Sequence, residues 1–275
     1  KDALNLIGNN ESFSLAVSSD ENLIQHTAGE IRKILKEEGL SGLPVILEEW
    51  SNNVWQRDLC NDTCYKSAYL FKNILENNHN LNGMGYFTLN DRIDEVPPAA
   101  YMFHGGFGLF TKNDIPKSAC RAMELLGQMG DRLIQKGEGY FITRTDEEIQ
   151  IFLYKYSHYD LLYRYRHVIN LNKTNRYGVF VSEESQAFYI RFENMKSGTY
   201  EIRRYGITRD GGSSYDMWVK MGAPEPPDRE EEEMLRKLSV PLYQRETAAV
   251  KNEGVLSLKA SLNPQDVWLI KIKKI

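Results

Sequence analysis

The pattern of apolar residues changes near residue 130, and that change limits what the chain can fold into. Before it, strand-like runs alternate with helix-like runs; after it, short strand-like runs are separated by polar turns. Residues 13–17 read as a short strand, and residues 22–38 carry helical periodicity through Leu23, Ile24, Ile31, Ile34 and Leu35. Gly39 then stops that helix as a left-handed residue. The run 43–47 is continuous and apolar, which predicts a strand buried on both faces. Asp62 reads as the cap of a helix reaching Glu76. Residues 83–89 follow as a third strand, 107–111 as a short extended piece and 118–129 as a third helix. Such alternation implies parallel βαβ units. Beyond residue 130, the runs 139–143, 149–156, 178–181, 187–192, 199–205, 255–262 and 267–273 predict an antiparallel sandwich. Residues 230–233, four glutamates, open a short acidic helix. The expected fold class is α/β plus β, in two units, 1–130 and 131–275.

Composition removes several function classes. With 41% hydrophobic residues among 275, the chain can bury a core. Its apolar runs are strand-sized, too short for a membrane span, and residues 1–5 lack the apolar stretch of a signal peptide. A net charge of −4 argues against general nucleic-acid binding, which needs a basic face. Three cysteines cannot form a disulfide framework, and Cys60 and Cys64 lack a second Cys/His pair at metal-ligand spacing. Free thiols in a reducing cytoplasm are expected, with no metal and no cofactor. Tyr154, Tyr156, Tyr159, Tyr163 and Tyr165 cluster with Arg164 and Arg166. Such a patch can stack bases or sugars, but the preferred reading packs one face and solvates the other. Residues 211–214, Gly-Gly-Ser-Ser, are too short for a phosphate loop.

The stretch 44–53 carries the most chemistry, because an apolar strand there ends in Glu48-Glu49-Trp50-Ser51. Barrel glycosidases place catalytic carboxylates at the C-terminal ends of strands. A retaining glycosidase needs a nucleophilic carboxylate and a second carboxyl about 5–5.5 Å away. Adjacent strand residues point to opposite faces, so Glu48 and Glu49 cannot be that pair. From the residues alone, a solvated acidic loop edge is the simpler reading.

Several motifs together resemble glycoside hydrolase family 39, the β-xylosidases. Leu47-Glu48-Glu49-Trp50-Ser51 is similar to the family's T-E-[FYW]-N, and Asn61-Asp62-Thr63-Cys64-Tyr65-Lys66-Ser67-Ala68-Tyr69 to H-D-T-x-[FY]-x-A-A-Y. His104-Gly105-Gly106-Phe107-Gly108-Leu109 and Ile115-Pro116-Lys117 match its H-G-G-F-G-L and I-P-K. Gly206-Ile207 through Trp218 and Met221-Gly222 look like its accessory sandwich. The resemblance runs from about Phe13 onward. It implies that Glu49 is the catalytic nucleophile. Asp91, Glu95, His104 and Trp50 are implied substrate-binding positions.

The departures are as informative. No Asn-Glu-Pro, the family's acid/base motif, occurs in the chain: Asn10-Glu11 is followed by Ser12. Glu48 stands for the expected Thr, Asn61 for His and Phe87 for Trp. Without its acid/base a hydrolase loses leaving-group protonation, a factor of ~10²–10⁴. A full barrel would place roughly 180 residues before the nucleophile strand, whereas 48 precede Glu49. The resemblance therefore implies the C-terminal part of a (β/α)8 TIM-type barrel followed by an antiparallel β-sandwich. Its open edges would call for an oligomer or a partner chain that completes the barrel. The wording of residues 55–64 and 139–145 is most similar to family 39-like domains fused to AraC/XylS-type transcription regulators. The leading expectation is thus a sugar-sensing region that meets DNA only through an N-terminal part not present here, with no membrane partner. Its ligand would be a small sugar or xylo-oligosaccharide. The alternative is the C-terminal part of a retaining β-xylosidase, with Glu49 as nucleophile.

Overall fold

The computed structural model describes residues 17–54, 56–93, 101–164 and 171–275. Of the two expected units, the first has α1 (Leu23–Glu37), β1 (Ile46–Trp50), α2 (Cys64–Glu76), β2 (Gly83–Tyr86) and α3 (Ser118–Leu126). The second has β3 (Arg132–Gly137), β4 (Tyr140–Arg144), β5 (Glu148–Tyr154), α4 (Leu161–Arg164), β6 (Gln186–Phe192) and β7 (Gly198–Ile207). It ends with α5 (Ser214–Lys220), α6 (Arg229–Leu238), β8 (Leu242–Val250), β9 (Leu256–Leu262) and β10 (Val267–Lys274).

β1 and β2 pair in parallel, Ile46 opposite Gly83 and Trp50 opposite Tyr86, with α2 as the crossover. This is the βαβ unit that the alternation predicts. Gly39 follows α1 at φ 72°, as expected of a left-handed stop. Two expectations are corrected. The run 43–47 is not buried on both faces: β1 pairs only with β2 among the described residues, and Ile46 is 64% exposed. A buried parallel strand needs a neighbour on each side and a layer on each face, and among the described residues one side of β1 has none. Asp62 does not cap α2. Thr63 does, its hydroxyl accepting from the Tyr65 N–H, while Asp62 is buried as an ion. Of the predicted strand 13–17, only Val17 falls within the described residues.

The second unit holds a six-stranded antiparallel sheet, β3-β4-β5-β10-β7-β8, and a separate β6-β9 pair. β10 lies in the middle of the large sheet and is covered on both faces, so its apolar residues run nearly unbroken. Ile270 and Ile272 join Ile142, Ile151, Phe188 and Leu258 in a core between the sheets. Val267 and Leu269, on the opposite face, join Trp50, Tyr65, Leu70 and Leu125 of the first unit. One hydrophobic cluster therefore crosses residue 130. Residues 178–181 form no strand but a single bridge, Phe180 to Tyr159. The acidic run opens α6 as expected, with Asp228 and Glu231 closing a capping box. All three cysteines are free and buried, and no group of His, Cys, Asp or Glu among the described residues could hold a metal. None of the described helices is long and apolar enough to cross a membrane.

The turn before β10 carries a titrating group. Burial pushes the Asp266 carboxyl up to about 6. Between pH ~4 and ~6 the folded chain holds a proton that the unfolded chain has released, so the Asp266 contribution to stability falls as pH rises through that window. Asp266→Asn should stabilise the protein by on the order of 2 kcal/mol at pH 7.5 and by nothing below pH 4. Urea unfolding of both proteins at the two pH values measures this. An advantage that persists at pH 4 would refute it.

Candidate active site

Glu49 is the penultimate residue of β1 and is exposed at the strand's C-terminal end. Among the described residues its carboxylate makes no hydrogen bond or ion pair. It lines a cavity of ≈ 290 Å³ together with Trp50, Asn53, Tyr69, Phe87 and Phe107. Trp50 is buried, its ring 5.7 Å from Tyr69 and 5.9 Å, edge-on, from Tyr86. Its indole N–H is buried without a partner among the described residues. A buried donor left unpaired is uncommon and costly. Aromatic walls, a carboxylate without partners among the described residues, and the polar side chains of Ser51, Asn53 and Gln56 suit a ligand that is apolar on its face and hydroxylated at its rim.

Under the cavity lies a fully buried lysine. Lys66, in the middle of α2, donates to Ser51 Oγ at 2.7 Å and to Asn61 Oδ1 at 3.3 Å, and also to the Asn52 side chain. Its ammonium is 5.4–5.8 Å from the ring centroids of Tyr69, Tyr86 and Phe107, a cation–π cage. Lys66 fixes the segment that follows Glu49, as does Tyr69, whose hydroxyl donates to Ser51 O at 3.0 Å.

Asp91 and His104 are buried and do not line that cavity. Asp91 lies 3.1 Å from Lys117, which also pairs with Asp62 at 2.7 Å. Arg176 reaches in from the second unit and pairs with Asp62 at 2.8 Å. The chain 105–108 wraps these carboxylates: the Gly105 N–H donates to Asp62 and the Gly108 N–H to Asp91, each at 2.7 Å. A side chain at Gly106 or Gly108 would strike Asp91, which is why the motif needs glycine there. Burial pushes the Asp62 carboxyl up, but Lys117 and Arg176 outweigh it and hold the group below its usual range. For Asp91, burial together with the charge of Asp62 prevails over Lys117, and its carboxyl is raised. His104 Nδ1 lies 3.2 Å from the carbonyls of Tyr101 and Met102. Glu95 lies outside the described residues.

The structure thus brings Glu49 and Trp50 together and sets Asp91 and His104 in a separate buried charge cluster. Lys66, Lys117 and Arg176 are not legible in the sequence as parts of this region. Lys66 and Lys117 lie inside the quoted motifs, but nothing in their spacing distinguishes a buried lysine from a surface one.

The glycosyl hydrolases family 39 model matches residues 10–257. A β-xylosidase of Geobacillus stearothermophilus is 23% identical over 246 residues, 89% of this chain and 44% of that protein. Another, of Caldicellulosiruptor saccharolyticus, is 25% identical over 267 residues, covering 95% and 51%. An uncharacterized helix-turn-helix-type transcriptional regulator of Staphylococcus aureus is 17% identical over 231 residues, 84% of this chain and 29% of that protein. Among solved structures, a monomeric β-xylosidase from Caulobacter crescentus superposes with TM-score 0.79 at 21% identity, covering 94% of this chain and 51% of that one. The chain spans about half the length of the β-xylosidases it matches. The structural likeness gives a TIM-barrel-related glycosidase fold, and by the extent of the family match the chain belongs to glycoside hydrolase family 39.

Proposed function

We propose that the Glu49 cavity recognises a xylose-type sugar. On this reading the units 1–130 and 131–275 are the end of a TIM-type barrel and its accessory sandwich. The observation that carries it is a carboxylate without protein partners among the described residues, on an aromatic-walled cavity. Hydroxyls would bond to the carboxylate and the polar side chains of the lining, and the sugar's apolar face would meet the rings. Asp91 and His104 would then act through the backbone 104–108, which carries Phe107, and not by touching sugar. Glu95 is kept as a further contact.

The open side of β1 supports a barrel completed by other chain. Ile31, Ile34, Leu43 and Ile46 are all exposed along the end of α1 and the start of β1, a cost that upstream barrel strands or a partner chain would remove. Two kinds of parent protein fit. The sugar-responsive region of a helix-turn-helix regulator is favoured by the departures at Glu48 and Asn61 and by the regulators that match most of the chain. A retaining β-xylosidase is favoured by the retention of Glu49 and by the higher identity to β-xylosidases. There Glu49 would attack the anomeric carbon, and a carboxyl from upstream sequence would protonate the leaving oxygen. The test is hydrolysis of an aryl β-xyloside by the longest natural polypeptide that contains this chain, alongside Glu49→Gln. Turnover lost in the variant makes it an enzyme. A folded parent that binds xylose sugars without turnover is the sensor, and one that neither binds nor hydrolyses them refutes the reading.

A further inference from the structure

We propose that Asp58 is a positioning residue for the Glu49 cavity, clamped there by two tyrosine hydroxyls that the second unit supplies. The inference rests on the sugar-cavity reading and adds a coupling between the units.

Asp58 is fully buried, just before the 3-10 turn Leu59–Asp62, which it caps by accepting from the Cys60 N–H at 3.1 Å. Its carboxylate does more than cap. Oδ2 accepts from the Asn53 side chain at 2.6 Å and from the Tyr159 hydroxyl at 3.0 Å. Oδ1 accepts from the Tyr163 hydroxyl at 2.8 Å. Asn53 lines the cavity with Glu49, and Asn52 beside it donates to the Tyr159 hydroxyl at 3.2 Å. One buried carboxylate therefore joins the cavity wall to residues 159 and 163.

Those tyrosines are themselves fixed. Tyr159 lies against Tyr65, Tyr163 and Phe180, ring centroids 4.8–5.3 Å apart, and the Tyr163 N–H is held by Asp160 at 2.6 Å. Tyr159 and Tyr163 are both buried. A capped turn needs only one acceptor oxygen. The second oxygen of Asp58 links the Tyr159 hydroxyl to Asn53, and the Tyr163 hydroxyl holds the capping oxygen of the same carboxylate. Hydrogen bonds to a buried charge are short, directional and stronger than neutral ones, so they fix geometry well. A displaced polar contact at a binding site costs affinity steeply.

The test compares Tyr159→Phe, Tyr163→Phe and the double variant with wild type, in the natural polypeptide that contains this chain. Each change removes one hydroxyl and keeps the ring. Tyr154→Phe is the control: the Tyr154 hydroxyl also donates to a carboxylate, Glu76 at 2.7 Å, which is not Asp58. Calorimetric titration with xylobiose and thermal unfolding are read for each protein. The expected result is binding weakened on the order of tenfold in the double variant and by less in the singles, with Tyr154→Phe binding like wild type although its melting temperature also falls. The single variants decide if the double does not fold. Unchanged affinity in the Tyr159 and Tyr163 variants overturns the proposal, as does an equal loss in Tyr154→Phe, which would make the effect generic. A wild type that does not bind xylobiose refutes the cavity reading itself, before any variant is compared, and the proposal falls with it.

Discussion

Lys117→Met should lower stability by about 3–5 kcal/mol, the range for removing one partner from a buried charge pair. Lys117 is fully buried between Asp62 and Asp91 and donates to Gly106 O at 2.8 Å. Its ammonium is raised above the usual range: burial works against the charge, and the two carboxylates prevail. Methionine fills much of the same volume but leaves two buried carboxylates with one cation, Arg176, which pairs with Asp62. Asp91 is then stranded. Its carboxyl is already raised, and without Lys117 it should rise further, so the folded variant holds a proton to higher pH. The deficit of the variant should therefore shrink as pH falls from 8 toward 5. Adding Asp91→Asn to Lys117→Met should recover part of the loss, because an amide needs no counter-ion. Urea unfolding of the three variants gives the coupling. A deficit below 1 kcal/mol that ignores pH would mean that the cluster is not the ionic lock that the distances describe.

That cluster shows how far the sequence could be read. Strands with a period or a continuous apolar run were legible, because burial on one or two faces leaves those patterns: β5, β7 and β10 lie close to where expected. β3 was missed, and all six of its residues are exposed. At an edge with solvent on both faces no alternation is needed, so none is written. β8, the opposite edge, is mostly exposed and was missed for the same reason. The tyrosine cluster packs as expected at Tyr159 and Tyr163, and Tyr165 and Arg166 lie outside the described residues. Its hydroxyls, bound to an aspartate a hundred residues away, could not be seen: a partner set by tertiary contact leaves no local spacing. The same holds for Arg176, which looks like any loop arginine and is fully buried across the two units. Glu49 stands out in the sequence only because its neighbours match the family pattern. Its lack of partners among the described residues leaves no trace there.

Glu49→Gln should lower turnover of an aryl β-xyloside by a factor of at least about 10³ in a hydrolytic parent, since a nucleophile removed from a concerted set costs most of its rate enhancement. The amide is nearly isosteric, so the cavity and the fold should survive, and xylobiose affinity should fall far less than turnover. Glu48 supplies the internal control. It is one residue away on β1 and exposed, and it is absent from the cavity lining. β1 shifts register between Leu47 and Trp50, and across that irregularity Glu49 and Trp50 line the cavity while Glu48 does not, so Glu48→Gln should leave turnover within about twofold, the scale of an ordinary surface change. Glu49→Ala opens space where the carboxylate stood. An added azide ion can then attack the anomeric carbon as the aryl oxide departs, forming a glycosyl azide of inverted configuration at that carbon. Recovery of aryl oxide release with azide, together with that product, would assign Glu49 as the nucleophile. If Glu48→Gln is the variant that loses turnover and Glu49→Gln is not, the strand is registered the other way from this structure and the cavity beside Trp50 is not where the chemistry happens.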